Sequence, residues 1–318
     1  MLLTFNFPAT HSVFMVNLHG PIVALLTPVD ASGEIEWQAF KTYLSSLYSW
    51  GVRTVIANGT TEEFPSLTIN ERQQVVEFVR ENFDGTIVNN VSATCVRDVR
   101  DLIAGTQGCA DFILLLPPYY YSGCQDSGLC RFFISALSGT SLPVMLYNFP
   151  QHTGNRLGVD LVAMLLEQDF AVQGIKDSSG DIGNALIYRS NFPEMNIFLG
   201  NDAKVIEALQ KGLSGSVTGA ANPMPELLIA MQSGIQLFGS KAQSIQRCLD
   251  VWNEFREASG YFEIPLVKAA MGARIAGFPI HVRAPFTPVP TEEIDRIQRV
   301  ISKCLRDFKL FGHVVNLI

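Results

Sequence analysis

Eight short apolar runs, each followed by a stretch with helical periodicity, constrain the fold of this chain more than any other feature of its sequence. Several runs are continuously apolar rather than alternating, which is typical of strands covered on both faces, as in parallel sheets. The runs cover residues 22–26, 54–57, 87–91, 112–116, 144–147, 172–175, 197–199 and 216–218. Because parallel strands need crossover connections, each run predicts a strand followed by a helix.

The helical stretches carry both apolar periodicity and end signals. Thr68 and Glu71 form a predicted capping box, and Gly51, Gly108 and Gly212 stand where C-terminal caps are expected. The predicted helices cover residues 34–50, 69–82, 97–108, 128–137, 159–168, 181–190, 203–211 and 225–233. Eight strand–helix alternations favour a closed (β/α)8 TIM barrel over an open doubly wound sheet.

The pattern divides the chain into three segments. Residues 1–19 form an expected N-terminal extension, because polar residues and the lack of a basic start argue against a signal peptide or membrane span. Residues 20–236 form the predicted barrel. Residues 237–318 contain only helical patterns, over 241–259, 263–276 and 291–308. No Gly/Ser-rich or charged linker separates them, so we expect this helical region to pack on the barrel.

Composition restricts the possible partners. The chain has 318 residues, of which 47% are hydrophobic and 17% charged, so a large core and not disorder is expected. A net charge of -7 argues against nucleic acid as a partner and favours a small-molecule substrate. The six cysteines form no CxxC pair and have no Cys/His spacing for a metal, which predicts free thiols, a cytoplasmic location and no metal site.

Lys176 is the first candidate for catalysis. In a barrel of this type the working residues lie at the carboxyl ends of the strands, and Lys176 follows the sixth apolar run. Burial at the barrel mouth disfavours the charged ammonium, and a neutral amine can attack a ketone or aldehyde to form a Schiff base. A structural lysine paired with Asp177 or another acid is the alternative, and position alone does not decide between the two.

Two neighbouring strand ends supply complementary groups. Tyr147 ends the fifth run, where a phenol can relay protons, although a core tyrosine with a satisfied hydroxyl is an equal alternative. Thr60 and Thr61 follow Gly59 after the second run and offer hydroxyls and backbone N–H groups to a carboxylate. An amine, a proton relay and a carboxylate site together indicate an enzyme that acts on a 2-oxo acid.

Four ordered motifs carry a family resemblance. They are Gly59-Thr60-Thr61, Tyr147-Asn148-Phe149-Pro150 with Thr153-Gly154, Gly174-Ile175-Lys176-Asp177, and Gly200-Asn201-Asp202. In this order and spacing the chain resembles the dihydrodipicolinate synthase and N-acetylneuraminate lyase family. The similarity runs from about Gly20 to about Pro290 and includes Arg283-Ala284-Pro285.

The resemblance implies a class I aldolase that makes or breaks a carbon–carbon bond between pyruvate and an aldehyde. Lys176 would form the Schiff base, Tyr147 would shuttle protons, and Thr60 would link Tyr147 to a second tyrosine, which Tyr120 matches. In family members that second tyrosine crosses a dimer interface, so the resemblance also implies a homotetramer built as a dimer of dimers.

The resemblance further implies how pyruvate is held. Thr61 would bind its carboxylate beside Gly59, and Gly215 is a further substrate-binding position. No metal and no organic cofactor are expected, because the protonated imine is itself the electron sink.

One position bears on the choice of aldehyde. Synthases of the lysine pathway usually carry an arginine two residues after the proline of the tyrosine motif, and this chain has His152 there. Histidine lacks the bidentate fork of arginine, so it is a poor grip for a second carboxylate. We therefore favour a 2-keto-3-deoxy-sugar-acid aldolase. A 4-hydroxy-tetrahydrodipicolinate synthase is the main alternative, followed by sialic acid lyase or another 2-oxo acid specificity.

Glu62 departs from the family pattern, which commonly has glycine after the two threonines. We expect its side chain to be solvated and to point outward, rather than to be a new catalytic acid. Its charge makes pyruvate affinity uncertain and leaves open a catalytically silent barrel that only binds a 2-oxo acid or sugar acid. Asp202 is expected to be the N-cap of the seventh barrel helix.

Overall fold

The computed structural model describes residues 18–168, 170–234 and 239–312 and contains eight parallel strands. Residues 1–17 of the predicted N-terminal extension lie outside the described residues. The predicted boundary between positions 236 and 237 also lies outside them. The strands are β1 (Ile22–Ala24), β2 (Thr54–Ala57), β3 (Thr86–Asn90), β4 (Phe112–Leu115), β5 (Val144–Asn148), β6 (Val172–Asp177), β7 (Asn196–Leu199) and β8 (Gly215–Thr218).

The strands close into a barrel in sequence order. Each strand pairs in parallel with the next, and β8 returns to β1, where Val217 aligns with Ile22. All predicted strands are present with bounds that differ by at most two residues at either end. The predicted (β/α)8 barrel is therefore confirmed.

Helices follow the strands and form the outer ring. They are α1 (Trp37–Ser49), α2 (Ile69–Asn82), α3 (Val96–Thr106), α4 (Asp126–Leu137), α5 (Pro150–Thr153), α6 (Val159–Leu166), α7 (Ile182–Asn191), α8 (Val205–Gln210) and α9 (Pro225–Gly234). Thr68 caps α2 in the predicted capping box. The expectation for Asp202 is wrong: Asn201 caps the 3-10 turn Asp202–Lys204 that precedes α8.

The core has an inner and an outer layer. Side chains inside the barrel, such as Ile56, Phe112, Met145 and Phe198, pack together, and Leu18 joins them from before β1. Two further apolar clusters fill the space between the barrel and its helices. Burial on both faces explains why the strand sequences read as continuous apolar runs.

Over residues 239–312 three helices follow the barrel: α10 (Gly239–Ser259), α11 (Glu263–Arg274) and α12 (Ile294–Gly312). They share the larger outer cluster with α1, α2 and α9. Salt bridges also join this region to the barrel, among them the buried pair Lys268–Glu63 and the pair Arg283–Glu71. Among the described residues, none of the helices combines the length and the apolar character that crossing a membrane requires.

Candidate active site

A cavity of about 530 Å³ opens at the carboxyl ends of the barrel strands. Five of the residues predicted from the sequence line it: Thr60, Thr61, Tyr147, His152 and Lys176. Residues of the C-terminal region complete the walls: Arg256, Glu257, Phe262, Glu263, Ile264 and Phe286. The cavity therefore lies where a (β/α)8 barrel places its chemistry.

Lys176 and Tyr147 are direct neighbours across β5 and β6. The strand register pairs the two residues, and the Lys176 ammonium lies 4.1 Å from the centre of the Tyr147 ring. Lys176 is only 4% exposed and still lines the cavity. The amine is thus desolvated, close to a phenol and open to a small ligand.

Asp177 faces away from Lys176 because successive residues of a strand point to opposite faces. Its carboxylate accepts hydrogen bonds from Asn148 Nδ2 at 2.6 Å, Ser179 Oγ at 2.9 Å and Asn184 Nδ2 at 3.0 Å. Within the described chain Lys176 forms no salt bridge with any acid. The alternative of a lysine paired with Asp177 is therefore not what the structure contains.

The turn after β2 brings the threonines to the cavity. Gly59 accepts the N–H of Glu62 at 3.1 Å, and Thr60 accepts the N–H of Glu63 at 3.0 Å, which folds the segment into consecutive tight turns. The hydroxyl of Thr60 lies 3.5 Å from that of Tyr147. The Thr60 and Tyr147 hydroxyls are thus neighbours, and Lys176 lies against the ring of the same tyrosine.

Glu62 is completely buried, so the expectation of an outward, solvated side chain is wrong. The tight turn directs its carboxyl back toward the start of the loop, where Oε2 accepts the N–H of Asn58. Burial raises the pKa of Glu62 to about 8, although hydrogen bonds from the backbone of Asn58 and Gly59 act in the opposite direction. The side chain is therefore uncharged near neutral pH and places no negative charge beside Thr61.

His152 lies on the rim of the cavity as its position in the sequence suggests. Its ring stacks on Phe149 with centroids 3.9 Å apart, and Phe149 in turn stands beside Tyr147. Partial burial lowers the pKa of His152, which keeps the imidazole neutral near pH 7. This side chain can offer a hydrogen bond but no strong charge.

Sequence reasoning missed an ionic cluster at the cavity mouth. Arg256 of α10 binds Asp202 Oδ2 at 2.9 Å and Glu263 Oε1 at 3.0 Å. Burial and the nearby Asp202 raise the pKa of Glu263, against the lowering effect of Arg256 and Lys176. Arg256 and Glu263 are seven residues apart, but Asp202 is 54 residues from Arg256, so the sequence contains no local signal for the complete cluster.

Three predicted residues are not among the described walls of this cavity in the single chain: Gly59, Tyr120 and Gly215. Tyr120 is 87% exposed after β4 and has a left-handed backbone, with φ of 83°. Gly215 begins β8 at the amino-terminal end of the barrel, where a Cβ would meet Gly20 Cα at 2.8 Å. The walls near β8 are instead formed by Val217, Thr218 and Gly219, so we leave Gly215 out of the proposed site.

Comparisons with known proteins agree with this geometry. The family model described as "Dihydrodipicolinate synthetase family" matches residues 17–304. The chain belongs to the dihydrodipicolinate synthetase family. The predicted resemblance is confirmed, and so is the enzyme class, a carbon–carbon lyase of the Schiff-base aldolase type.

Relatives within the family carry two different names. The chain is 26% identical to a 2-dehydro-3-deoxy-D-gluconate/2-dehydro-3-deoxy-phosphogluconate aldolase of Thermoproteus tenax, over 91% of this chain and 93% of the relative. It is 33% identical to a 4-hydroxy-tetrahydrodipicolinate synthase of Staphylococcus haemolyticus, over 72% and 79%. A solved variant of Sulfolobus solfataricus 2-keto-3-deoxygluconate aldolase shares the fold, with a TM-score of 0.83, 21% identity and coverage of 92% and 98%.

Removal of the Tyr147 hydroxyl should slow turnover in this family member without removing the amine. We expect Tyr147→Phe to lower kcat by on the order of 10² to 10⁴, because a positioned proton carrier contributes about that much. Steady-state kinetics of pyruvate release would measure it. Tyr48→Phe, on the partly exposed face of α1, is the matched control, and an unchanged kcat for Tyr147→Phe would contradict the role.

Proposed function

We propose that this enzyme is a 2-keto-3-deoxy-sugar-acid aldolase, with Lys176 as the Schiff-base residue. The amine of Lys176 attacks C2 of pyruvate, and the carbonyl oxygen leaves as water to give a protonated imine. Loss of a proton from C3 gives an enamine, whose C3 bonds to the aldehyde carbon while the aldehyde oxygen takes a proton. Water then hydrolyses the imine and releases the product and the free amine; cleavage is the reverse sequence.

The remaining residues have defined parts in the proposed reaction. The Tyr147 hydroxyl, next to Thr60, moves protons to and from the reacting oxygens. Thr60 and Thr61, which follow Gly59 and line the cavity, receive the pyruvate carboxylate through hydroxyl and backbone N–H groups. The protonated imine supplies the electron sink, so the proposed reaction uses no metal or organic cofactor.

The charge of the cavity supports a hydroxylated aldehyde rather than an ionic one. Apart from Lys176, the cation among the described wall residues is Arg256, which Asp202 and Glu263 already neutralise. His152 is neutral where a synthase would have an arginine. A second carboxylate would therefore find no free cation here.

Uncharged polar groups are available for hydroxyls instead. Ser178, Asn201 and Thr218 line the cavity beside Lys176. These side chains can donate and accept hydrogen bonds, which is what a chain of hydroxyl groups requires. This distribution of groups is the single observation that supports a sugar acid over aspartate semialdehyde.

A substrate comparison tests the proposed function. Cleavage of 2-keto-3-deoxygluconate would be followed by pyruvate release, and condensation of pyruvate with aspartate semialdehyde by loss of the semialdehyde. We expect kcat/KM to be at least about 100-fold higher for the sugar acid, since an unpaired buried charge is costly. The reverse ratio would favour the synthase, which the Staphylococcus haemolyticus relative represents. No pyruvate adduct after borohydride treatment would favour the silent binder.

We also propose a homotetramer assembled as a dimer of dimers. In the single chain Tyr120 and the adjacent Tyr121 are exposed aromatic side chains with rings 5.3 Å apart, an arrangement typical of interface residues. A partner subunit would receive Tyr120 near its own Thr60 and Tyr147.

Tyr120→Phe tests this arrangement. We expect turnover to fall by about 10-fold or more through loss of a proton-relay hydroxyl, while the assembly stays intact because the ring is retained. Kinetics and solution mass, measured by light scattering during size exclusion, would check both. Tyr261→Phe, a partly buried tyrosine outside the cavity walls, is the control, and full activity of Tyr120→Phe would contradict the cross-subunit relay.

We propose a cytoplasmic location for the enzyme. All six cysteines are free thiols, and three of them, Cys130, Cys248 and Cys304, are buried. Dispersed, unpaired cysteines are typical of proteins kept in a reducing compartment.

A further inference from the structure

Glu62 ties together the turn that carries the two threonines. Its Oε2 accepts the N–H of Asn58, its own N–H donates to Gly59, and its carbonyl accepts the Thr27 hydroxyl at 3.0 Å. One residue thus bonds to the start of the turn and to the segment after β1. Thr60 and Thr61 lie between these bonds, and the side chain of Glu62 supplies the one that closes the turn onto Asn58.

The charged groups around Glu62 form no ion pair with it among the described residues. Tyr43 of α1, Arg72 of α2 and Lys268 of α11 act on its carboxyl, and Glu63 is the next acid along the chain. Lys268 is paired with Glu63 at 2.5 Å.

The Arg72 guanidinium donates to the carbonyls of Ser92 at 2.9 Å and Asn90 at 2.6 Å, and it forms no ion pair with Glu62 among the described residues. Glu62 Oε1 is buried and has no hydrogen-bond partner among the described residues. An ionised Glu62 would therefore be a buried charge with no direct ion pair, and the more distant charges of Arg72 and Lys268 do not outweigh the cost of its burial.

We infer that Glu62 is a positioning residue whose uncharged carboxyl holds the Thr60–Thr61 turn in the form that binds pyruvate, and whose ionisation releases that turn. This inference rests on the proposed function, because it takes Thr61 as the site of the pyruvate carboxylate. A charge at Glu62 acts in two ways. It strains the buried turn, and it repels the substrate carboxylate on the other side of the same loop.

The consequence is an alkaline limit on pyruvate binding. Burial raises the pKa of Glu62 to about 8, so the carboxyl loses its proton just above physiological pH. We expect the KM for pyruvate to rise by about 10-fold or more between pH 7 and 9.5, with a smaller change in kcat. The KM change identifies an effect on binding rather than on proton transfer.

Three proteins test the inference through their pH profiles. Glu62→Gln keeps an acceptor for the Asn58 N–H and cannot ionise, so its KM should stay flat up to pH 9.5. Glu62→Ala loses the tie and should have a raised KM at every pH. Glu77→Gln makes the same substitution at an exposed acid on α2 and should behave as wild type. A flat wild-type profile, or a Glu62→Gln profile that still rises, would overturn the inference.

Thermal unfolding gives a readout that needs no substrate. The pKa of Glu62 is about 8 in the folded state and 4.5 in the unfolded chain, so the folded state holds the proton more tightly. The free energy of unfolding should therefore fall as pH rises from 4.5 to about 8. The Tm advantage of Glu62→Gln over wild type should therefore grow from pH 5 to pH 8 and stay constant above. An advantage that does not change with pH would overturn the uncharged state of Glu62.

Borohydride trapping separates the two proposals. A wild type that forms no pyruvate adduct at any pH would overturn the proposed function and this inference with it. If wild type forms the adduct on Lys176, and the yield of that adduct depends on pH in the same way in Glu62→Gln, this inference alone would be overturned.

Discussion

Replacement of Lys176 by alanine should abolish covalent trapping of pyruvate and lower kcat by on the order of 10⁴-fold or more. The proposed reaction passes through an imine on this amine, and alanine offers no atom on which it could form. Intact mass after borohydride treatment would show the pyruvyl adduct in wild type and none in the variant. Peptide mapping would assign the wild-type adduct to the peptide that contains Lys176.

The size of this effect follows from the surroundings of the amine. Lys176 is nearly buried, lies 4.1 Å from the Tyr147 ring and lines the cavity, whereas the other lysines are outside the described walls. No neighbouring amine in the described cavity can therefore take over the attack on pyruvate. The loss should appear in kcat and in adduct formation together.

Lys211→Ala is the matched control for this variant. Lys211 follows α8 and has a half-exposed side chain near Glu207, outside the cavity. The adduct yield and kcat of Lys211→Ala should equal those of wild type. A Tm of Lys176→Ala equal to that of wild type would show that this variant still folds. A trapped adduct in Lys176→Ala would place the reactive amine elsewhere and would require the proposed function to be withdrawn.

Replacement of Lys268 by methionine should destabilise the protein by about 3 to 5 kcal/mol, because it leaves a buried carboxylate unpaired. Lys268 is 0% exposed, and its ammonium lies 2.5 Å from Glu63 Oε1. Burial lowers the pKa of Lys268, and the charge and hydrogen bond of Glu63 act against that shift. We expect Tm to fall by on the order of 10 °C, measured by calorimetry.

Glu63 explains why this pair matters to the site. The residue follows the threonine turn with a left-handed backbone, φ of 61°, and its Oε2 also accepts the N–H of Arg283 at 2.9 Å. The carboxylate thus connects the turn after β2 to α11 and to the segment that follows α11. Loss of Lys268 should weaken pyruvate binding as well as stability.

Two controls isolate the buried charge. The double variant Glu63→Gln/Lys268→Met removes both charges, so it should recover part of the lost stability. Lys204→Met breaks the exposed pair with Glu207 at 3.1 Å and should cost no more than about 1 kcal/mol. If Lys268→Met were no less stable than Lys204→Met, the buried pair would have no stabilising part.

The fold could be predicted because its signals are local. The continuous apolar run at 54–57 and the capping box of Thr68 and Glu71 correspond to β2 and the start of α2 with the same bounds. Parallel strands buried on both faces need such runs, so periodicity along the chain reports the barrel directly. Lys176 and Tyr147 could likewise be chosen, since they stand at strand ends that a barrel must bring together.

Glu62 shows where local reasoning fails. A charged residue in a polar loop is normally solvated, and the sequence contains no signal for the opposite outcome. Its carboxyl is buried, and it interacts electrostatically with Tyr43 of α1, Arg72 of α2 and Lys268 of α11, which come from distant parts of the chain. The protonation state of this residue is therefore a product of tertiary packing.

The sequence by itself determined the barrel, the family and the residues at the strand ends, because these follow from local periodicity and from motifs of fixed spacing. Only the tertiary structure decided that Arg256 is neutralised by Asp202 and Glu263, and that Gly215 lies at the opposite end of β8 from the cavity. Charge pairing and burial depend on distances between residues far apart in the chain, and those distances exist only after α10 and α11 pack on the barrel.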